Sequence, residues 1–279
     1  MSRRVAPELL EAVRARHQPS ADLLRAVAVT TVLGGREILR GVDLAIRRGE
    51  VFVIMGPSGC GKTTMLRHLC GLQRPSAGTI SVEGRDVYAL DQTELDGLRL
   101  RTGLAFQGGA LLGSLSVEEN VALPLRENTD LDERVILQVA RMKLDMVGLL
   151  HARSLLPASL SGGMKKRAAI ARAIALDPEI VFLDEPSAGL DPITAAGIDN
   201  LILKLNAVFG ITMVVVTHDL PSAFAIADRA AVFLDGRVAA LGTRDEIWAT
   251  KDVRIRDFVE RRLRESESGT VDVARYFSI

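Results

Sequence analysis

One run of residues constrains this chain more than any other. Glu50-Val51-Phe52-Val53-Ile54-Met55 reads as a continuous apolar strand, and such a run suits a sheet covered on both faces. It breaks into Gly56-Pro57-Ser58-Gly59-Cys60-Gly61-Lys62-Thr63, with Thr64 next, and then into a helical pattern that begins near Lys62 and closes at Gly71. Glycines at this spacing let consecutive backbone N–H groups turn toward one centre, and the helix N-terminus adds partial positive charge. The mould fits a chain of phosphates, with Lys62 reaching the β- and γ-phosphates and the Thr63 hydroxyl ligating Mg²⁺. An accidental glycine-rich turn is the alternative, and the strand and helix on either side weigh against it.

The rest of the chain supplies a fold for that loop. Val27-Ala28-Val29 and Val42-Asp43-Leu44-Ala45-Ile46 alternate as half-buried strands do. Ile180-Val181-Phe182-Leu183 and Thr212-Met213-Val214-Val215-Val216 read as buried strands separated by a helix over about 192–208. Strands alternating with helices imply a parallel α/β sheet. The stretch from about 108 to 175 is helical in period, with Val135, Val139, Met142 and Met146 as its stripe, and reads as an inserted α-helical subdomain. Ala231–Leu234 and Arg237–Leu241 flank Asp235-Gly236, a tight hairpin signal. The expected organisation is an N-terminal extension over 1–22, one domain over 23–250, and a C-terminal helix (about 252–265) and tail over 251–279.

Composition narrows the function classes. At 279 residues, 48% apolar and 25% charged, the chain has the balance of an ordinary globular protein. Lys plus Arg and Asp plus Glu are 35 each, so no general electrostatic case for nucleic acid exists. Cys60 and Cys70 are ten residues apart along one expected helix, roughly 15 Å of rise, too far to bridge, and a reducing compartment fits. No run reaches the ~18 apolar residues of a bilayer span, and Arg3, Arg4, Pro7, Glu8 and Glu11 give no signal-peptide core.

Two further segments carry chemistry. Asp184 and Glu185 end a buried strand, where an acid meets the phosphate loop across the top of a parallel sheet. Asp184 would hold Mg²⁺, directly or through water, and Glu185 would polarise the attacking water; a plain strand-ending acidic pair before Pro186 is the other reading. Leu160-Ser161-Gly162-Gly163-Met164 opens a helix with Ser161 as N-cap, and its two glycines allow close approach to an anion.

Taken in order, the loop at 56–63, Gln107 after Leu104-Ala105-Phe106, the segment 160–164, Asp184-Glu185, Asp191 in Ser187-Ala188-Gly189-Leu190-Asp191, and His218 resemble the ATP-binding-cassette ATPases over roughly residues 25–245. The resemblance implies a P-loop NTPase of the α/β class, with a mixed-to-parallel core sheet, N-terminal antiparallel β strands and the helical insertion. It implies two cassettes closing head to tail over ATP. Gln107 then senses Mg²⁺ and the attacking water, Ser161 and Gly163 contact the γ-phosphate in trans, Asp191 joins the nucleotide site, and His218 positions the γ-phosphate and water.

A narrower resemblance is to the Mla and Mce-associated lipid-transport ATPases. It rests on Phe106–Leu112, Asn120–Glu127, Met142-Lys143-Leu144, Met164, Asp191-Pro192-Ile193-Thr194 and Val253–Val259. It implies a second copy of the chain, an integral-membrane permease, an MCE-domain subunit and a STAS-domain subunit as partners, at the cytoplasmic face of the inner membrane. A cassette for another substrate, such as an amino acid, shares the same catalytic set, and a chromosome-structuring or translation-linked cassette lacks support because no coiled-coil insertion or second cassette is present. Two departures stand out: Met164 replaces the usual Gln, and residues 30–40 hold no aromatic for adenine, leaving Val32 or Leu33 to supply apolar contact. Leu111, Leu112 and Leu115 in 108–126 are expected either to meet the permease or to join the subdomain core. Tyr276-Phe277, after the polar stretch 266–269, would clasp the neighbouring subunit or fray.

Overall fold

The computed structural model describes residues 22–260. Strands β1 (Asp22–Leu33) and β2 (Arg36–Arg47) turn through Gly34-Gly35, both at positive φ, and pair with β4 (Ala77–Val82) and β5 (Arg85–Asp86) in an antiparallel sheet ordered β2-β1-β4-β5. The second sheet holds β3 (Val51–Met55), β6 (Thr102–Ala105), β7 (Ile180–Asp184), β8 (Thr212–Thr217), β9 (Arg229–Leu234) and β10 (Arg237–Gly242) in the order β10-β9-β3-β8-β7-β6. Its pairs are parallel except β9–β10, whose turn residues Asp235 and Gly236 have φ of 51° and 76°. Two positive φ values are what a two-residue hairpin of this hand requires.

The unbroken apolar strands are explained by what covers them. In β3, Val51, Val53 and Met55 face a helical core while Phe52 and Ile54 face the antiparallel sheet, and β7, β8 and β9 alternate in the same way. Helix α1 (Lys62–Leu69) is wedged on the second side through Met65, Leu66 and Leu69. Cys60 lies in the loop ahead of α1 rather than along it, and both cysteines are free thiols. Helix α2 (Gln92–Leu100), with its Asp91/Glu94 capping box, leads into β6.

Between β6 and β7 stand α3 (Val117–Asn128), α4 (Glu133–Met146) and α5 (Gly162–Ala173). The stripe expected on α4 is met in half: Val139 and Met146 pack on the helical core, Val135 and Met142 are exposed, and the buried face is Ile136, Ala140, Lys143 and Leu144. Lys143 breaks the apolar pattern: its side chain is buried and its ammonium pairs with the exposed Asp177. Of the three leucines after Gln107, Leu111 packs on the helical core, Leu115 is partly buried and Leu112 is exposed. Helices α6 (Pro192–Phe209), α7 (Leu220–Ile226), α8 (Arg244–Trp248) and α9 (Val253–Val259) are the remaining α-helices among the described residues. Residues 1–21 and 261–279, which include most of the expected extension, the expected continuation of α9 to 265 and the tail aromatics, lie outside the described residues.

At the N-terminal ends of β3, β6 and β7, the Arg48 and Arg101 guanidiniums each bind both Glu83 and Glu179, joining the two sheets. The Arg101 hydrogen bonds, ahead of those from Arg48, hold the Glu179 carboxyl down at about 2.

Asn120, fully buried on α3, pins the segment after Gln107: its Nδ2 donates to the carbonyls of Leu112, Leu115 and Ser116, and its Oδ1 accepts from the Leu112 N–H. Asn120→Ala strands these groups, and a loss of about 3 kcal/mol, or roughly 8 °C in Tm, is expected in thermal unfolding. An unchanged Tm would show that the segment is held elsewhere.

Candidate active site

Strand register assembles the site. Met55 pairs with Thr217 and Asp184 with Val216 across the neighbouring strands β3, β8 and β7, so the loop after β3, the acids after β7 and His218 after β8 emerge side by side. Ligands of open parallel sheets bind at such carboxyl ends.

The loop 56–61 is shaped by glycines that nothing larger replaces. A Cβ on Gly56 would lie 2.3 Å from the Phe233 carbonyl oxygen, and one on Gly61 (φ 102°) 2.7 Å from Leu39. The loop therefore lies directly on β2 and β9. Lys62 Nζ, buried, donates to the Gly56 and Pro57 carbonyls at 2.8 Å each. Ser58 and Gly59 are exposed, and a cavity of about 630 Å³ opens between them and Glu37, Ile38 and Arg40 of β2. Val32 and Leu33, the apolar substitutes for an aromatic, are exposed at the end of β1.

Thr63 Oγ1 donates to Asp184 Oδ1 at 3.3 Å. Asp184 is buried, and burial pushes its carboxyl up; the Thr63 bond opposes this and the neighbouring Glu185 adds to it. A hydroxyl and a carboxylate whose charge is poorly compensated are hard oxygen donors that fit Mg²⁺.

Glu185 is held in a strained state. Its φ is +50°, a left-handed conformation that a non-glycine residue adopts only when its surroundings fix it. Its N–H donates to the Val216 carbonyl at 2.8 Å. Its buried carboxylate accepts from His218 Nδ1 at 2.7 Å and from Thr217 Oγ1 at 3.3 Å. An acceptor-only carboxylate places the ring proton on Nδ1 of His218, whose side chain is 55% exposed.

The other expected residues fall into two groups. Gln107 is exposed just past β6, and its carbonyl accepts from Lys166 Nζ at 2.6 Å; the same ammonium reaches the Glu185 carbonyl at 2.6 Å. Burial pushes the Lys166 amine down, against the pull of Glu185 and Asp184. Ser161, Gly162, Gly163 and Asp191 stand apart, where α5 meets α6. Ser161 Oγ caps α5 through the Met164 N–H, Asp191 caps α6 through Ile193 and Thr194, and a Cβ on Gly163 would lie 2.5 Å from the Thr194 methyl. The sequence reading missed Lys166 and Thr217: a lysine within Lys165-Lys166-Arg167 has no positional signature, and Thr217 looks like the end of a strand.

Fold and converging strand ends define the class, an α/β ATPase cassette that binds nucleotide. The chain belongs to the ABC transporter family, whose model matches residues 39–188. It is 42% identical to the intermembrane phospholipid transport system ATP-binding protein MlaF of Haemophilus influenzae over 239 residues, covering 86% of this chain and 90% of the relative. It is 38% identical over 244 residues to the probable ribonucleotide transport ATP-binding protein mkl of Mycobacterium tuberculosis, covering 88% of this chain and 68% of the relative. Among solved structures it is similar to the dimeric post-hydrolysis ATP-binding cassette MJ0796 bound to ADP and Pi, with a TM-score of 0.73, 35% identity, and coverage of 79% of this chain and 98% of that one. It also resembles cbiO1 of Clostridium perfringens, part of the ABC transporter complex cbiONQ, with a TM-score of 0.76, 30% identity, and coverage of 85% and 95%.

Because burial raises the folded Asp184 carboxyl above its unfolded value, ionising it costs more in the folded protein, and its contribution to stability is lost as pH rises through that raised value. Asp184→Asn keeps an acceptor for Thr63 and removes the charge. In the nucleotide-free protein it should raise Tm by roughly 2 °C at neutral pH, with the gain shrinking toward acid; a lower Tm at neutral pH would contradict this.

Proposed function

We propose that this chain is the ATP-hydrolysing subunit of a membrane transporter for phospholipids, working as a pair of cassettes against a permease at the cytoplasmic face of the inner membrane. The observation that carries the hydrolytic reading is the Glu185 carboxylate, fixed by His218 and Thr217 beside an Asp184 that meets Thr63. Among the described residues no helix is long and apolar enough to cross a membrane, and the permease of this reading is a separate subunit.

The loop residues Gly56 to Thr64 enclose the phosphates with backbone N–H groups, and Lys62 exchanges the Gly56 and Pro57 carbonyls for phosphate oxygens. Thr63, Asp184 and Gln107 would hold Mg²⁺, which when bound neutralises charge on the β- and γ-oxygens. Glu185 accepts a hydrogen bond from the attacking water and so polarises it, and His218, braced by Glu185, orients water and γ-phosphate. Ser161, Gly162 and Gly163, with Asp191, face the nucleotide of a second copy. The solved MJ0796 cassette is dimeric, which supports pairing.

The names of the relatives differ in cargo. Identity of 42% to the MlaF proteins, against 38% to the ribonucleotide-transport relative, favours phospholipid, and a permease, an MCE-domain subunit and a STAS-domain subunit follow from that reading. The exposed Leu112 suits the permease contact.

Glu185→Gln keeps the side-chain shape and should bind MgATP while turnover falls about a thousandfold. Near-normal turnover in the permease-coupled protein would remove Glu185 from that role. For cargo, the chain reconstituted with its permease should show ATPase stimulated by phospholipid and indifferent to ribonucleotide; the reverse pattern would transfer the reading to the second class.

A further inference from the structure

Beside the groups proposed to hold the nucleotide, a lysine bridges two loops of the site. Lys166 lies in the second turn of α5, partly buried, and its ammonium donates 2.6 Å bonds to two main-chain carbonyls from different parts of the fold, Gln107 after β6 and Glu185 after β7. The Glu185 carbonyl belongs to the peptide unit shared with Pro186, which has no N–H, so this oxygen is the only hydrogen-bonding group through which that unit can be anchored. It also accepts a longer turn bond, 3.3 Å, from the Ala188 N–H. The residue it follows is the strained Glu185 at φ +50°.

We propose that Lys166 is a positioning residue for hydrolysis: it straps the Glu185 and Gln107 main chains to α5 and so keeps the Glu185 carboxylate aimed. This inference rests on the reading of Glu185 as the group that polarises water. Three contacts hold the left-handed residue: its N–H on Val216, its carboxylate on Thr217 and His218, and its carbonyl on Lys166. The first two fix one side of the residue and its tip. The third alone ties the following peptide to a separate element. Arg172, on the same helix, binds the carbonyls of Gly109 and Ala110, so α5 holds the continuation of the Gln107 loop as well. A displacement of α5 therefore moves both loops together, whereas Lys62 hangs on the loop after β3 and has its own partners. Loss of the strap should act on the chemical step and spare nucleotide affinity.

The test is steady-state ATPase of the full-length chain assembled with its permease, with Tm measured alongside. Lys166→Met keeps the stem and removes the donors; kcat should fall about tenfold while KM for ATP stays within about twofold. Lys166→Arg restores charge-assisted donors and should recover kcat to within about threefold of the parent. If Lys166→Met does not fold, Lys166→Gln, with a neutral donor, takes its place and should give an intermediate kcat at unchanged KM. The proposal is overturned if the donor-less variant keeps its kcat, if KM rises in step with the loss, or if Lys166→Arg is as slow as Lys166→Met. Glu185→Gln runs in parallel: turnover there would sink the role of Glu185 itself, whereas a dead Glu185→Gln beside a normal Lys166→Met would sink the strap alone.

Discussion

Everything at the site depends on the in-register parallel pairing of β3, β8 and β7. Met55 opposite Thr217 and Asp184 opposite Val216 set the heights at which three loops leave the sheet. A one-residue slip in any of them would exchange the two faces of a strand whose alternate residues are committed to different cores. The apolar content of these strands is therefore what fixes the Thr63 to Asp184 and His218 to Glu185 distances. Stability and geometry are set by the same side chains.

Much of this was legible in the sequence, and for a physical reason. A glycine-spaced loop between a buried strand and a helix admits few backbone paths, so residues 56–64 announced both a fold and a ligand class. The acids at 184–185 followed from their place at the end of a second buried strand. The α/β architecture was reached from such local signals, whereas the antiparallel N-terminal strands and the cassette family came from the resemblance carried by the order of the motifs along the chain. What stayed hidden was what only tertiary contact decides. The α4 stripe was right for Val139 and Met146 and wrong for Val135 and Met142, because the buried face runs through Lys143, a charged residue enclosed on the protein side and paired with the exposed Asp177. The full length of β1 and β2 was hidden because their outer residues face water, and α2 because none of its residues is buried. Lys166 and Thr217 act through carbonyls and a carboxylate brought from distant segments, and no spacing in the chain records that.

The segment 160–163 shows two demands meeting in one glycine. Gly163 lies where α5 crosses the first turn of α6, so close that a Cβ would strike Thr194, while Ser161 and Asp191 cap the two helices at that same corner. Packing within the chain thus requires glycine independently of any contact with a second copy. Two caps and a close approach meet at this corner, and α5 runs from it inward to Lys166.

The Arg48–Glu83–Arg101–Glu179 cluster lies at the opposite ends of the strands from the phosphate loop. Its members are substantially solvated, so dissolved ions screen it, whereas the Asp184 and Glu185 carboxylates are buried. The protein consequently has two poles that answer to different variables: ionic strength tunes how firmly the sheets are tied at one end, and ligand charge tunes how the loops are set at the other.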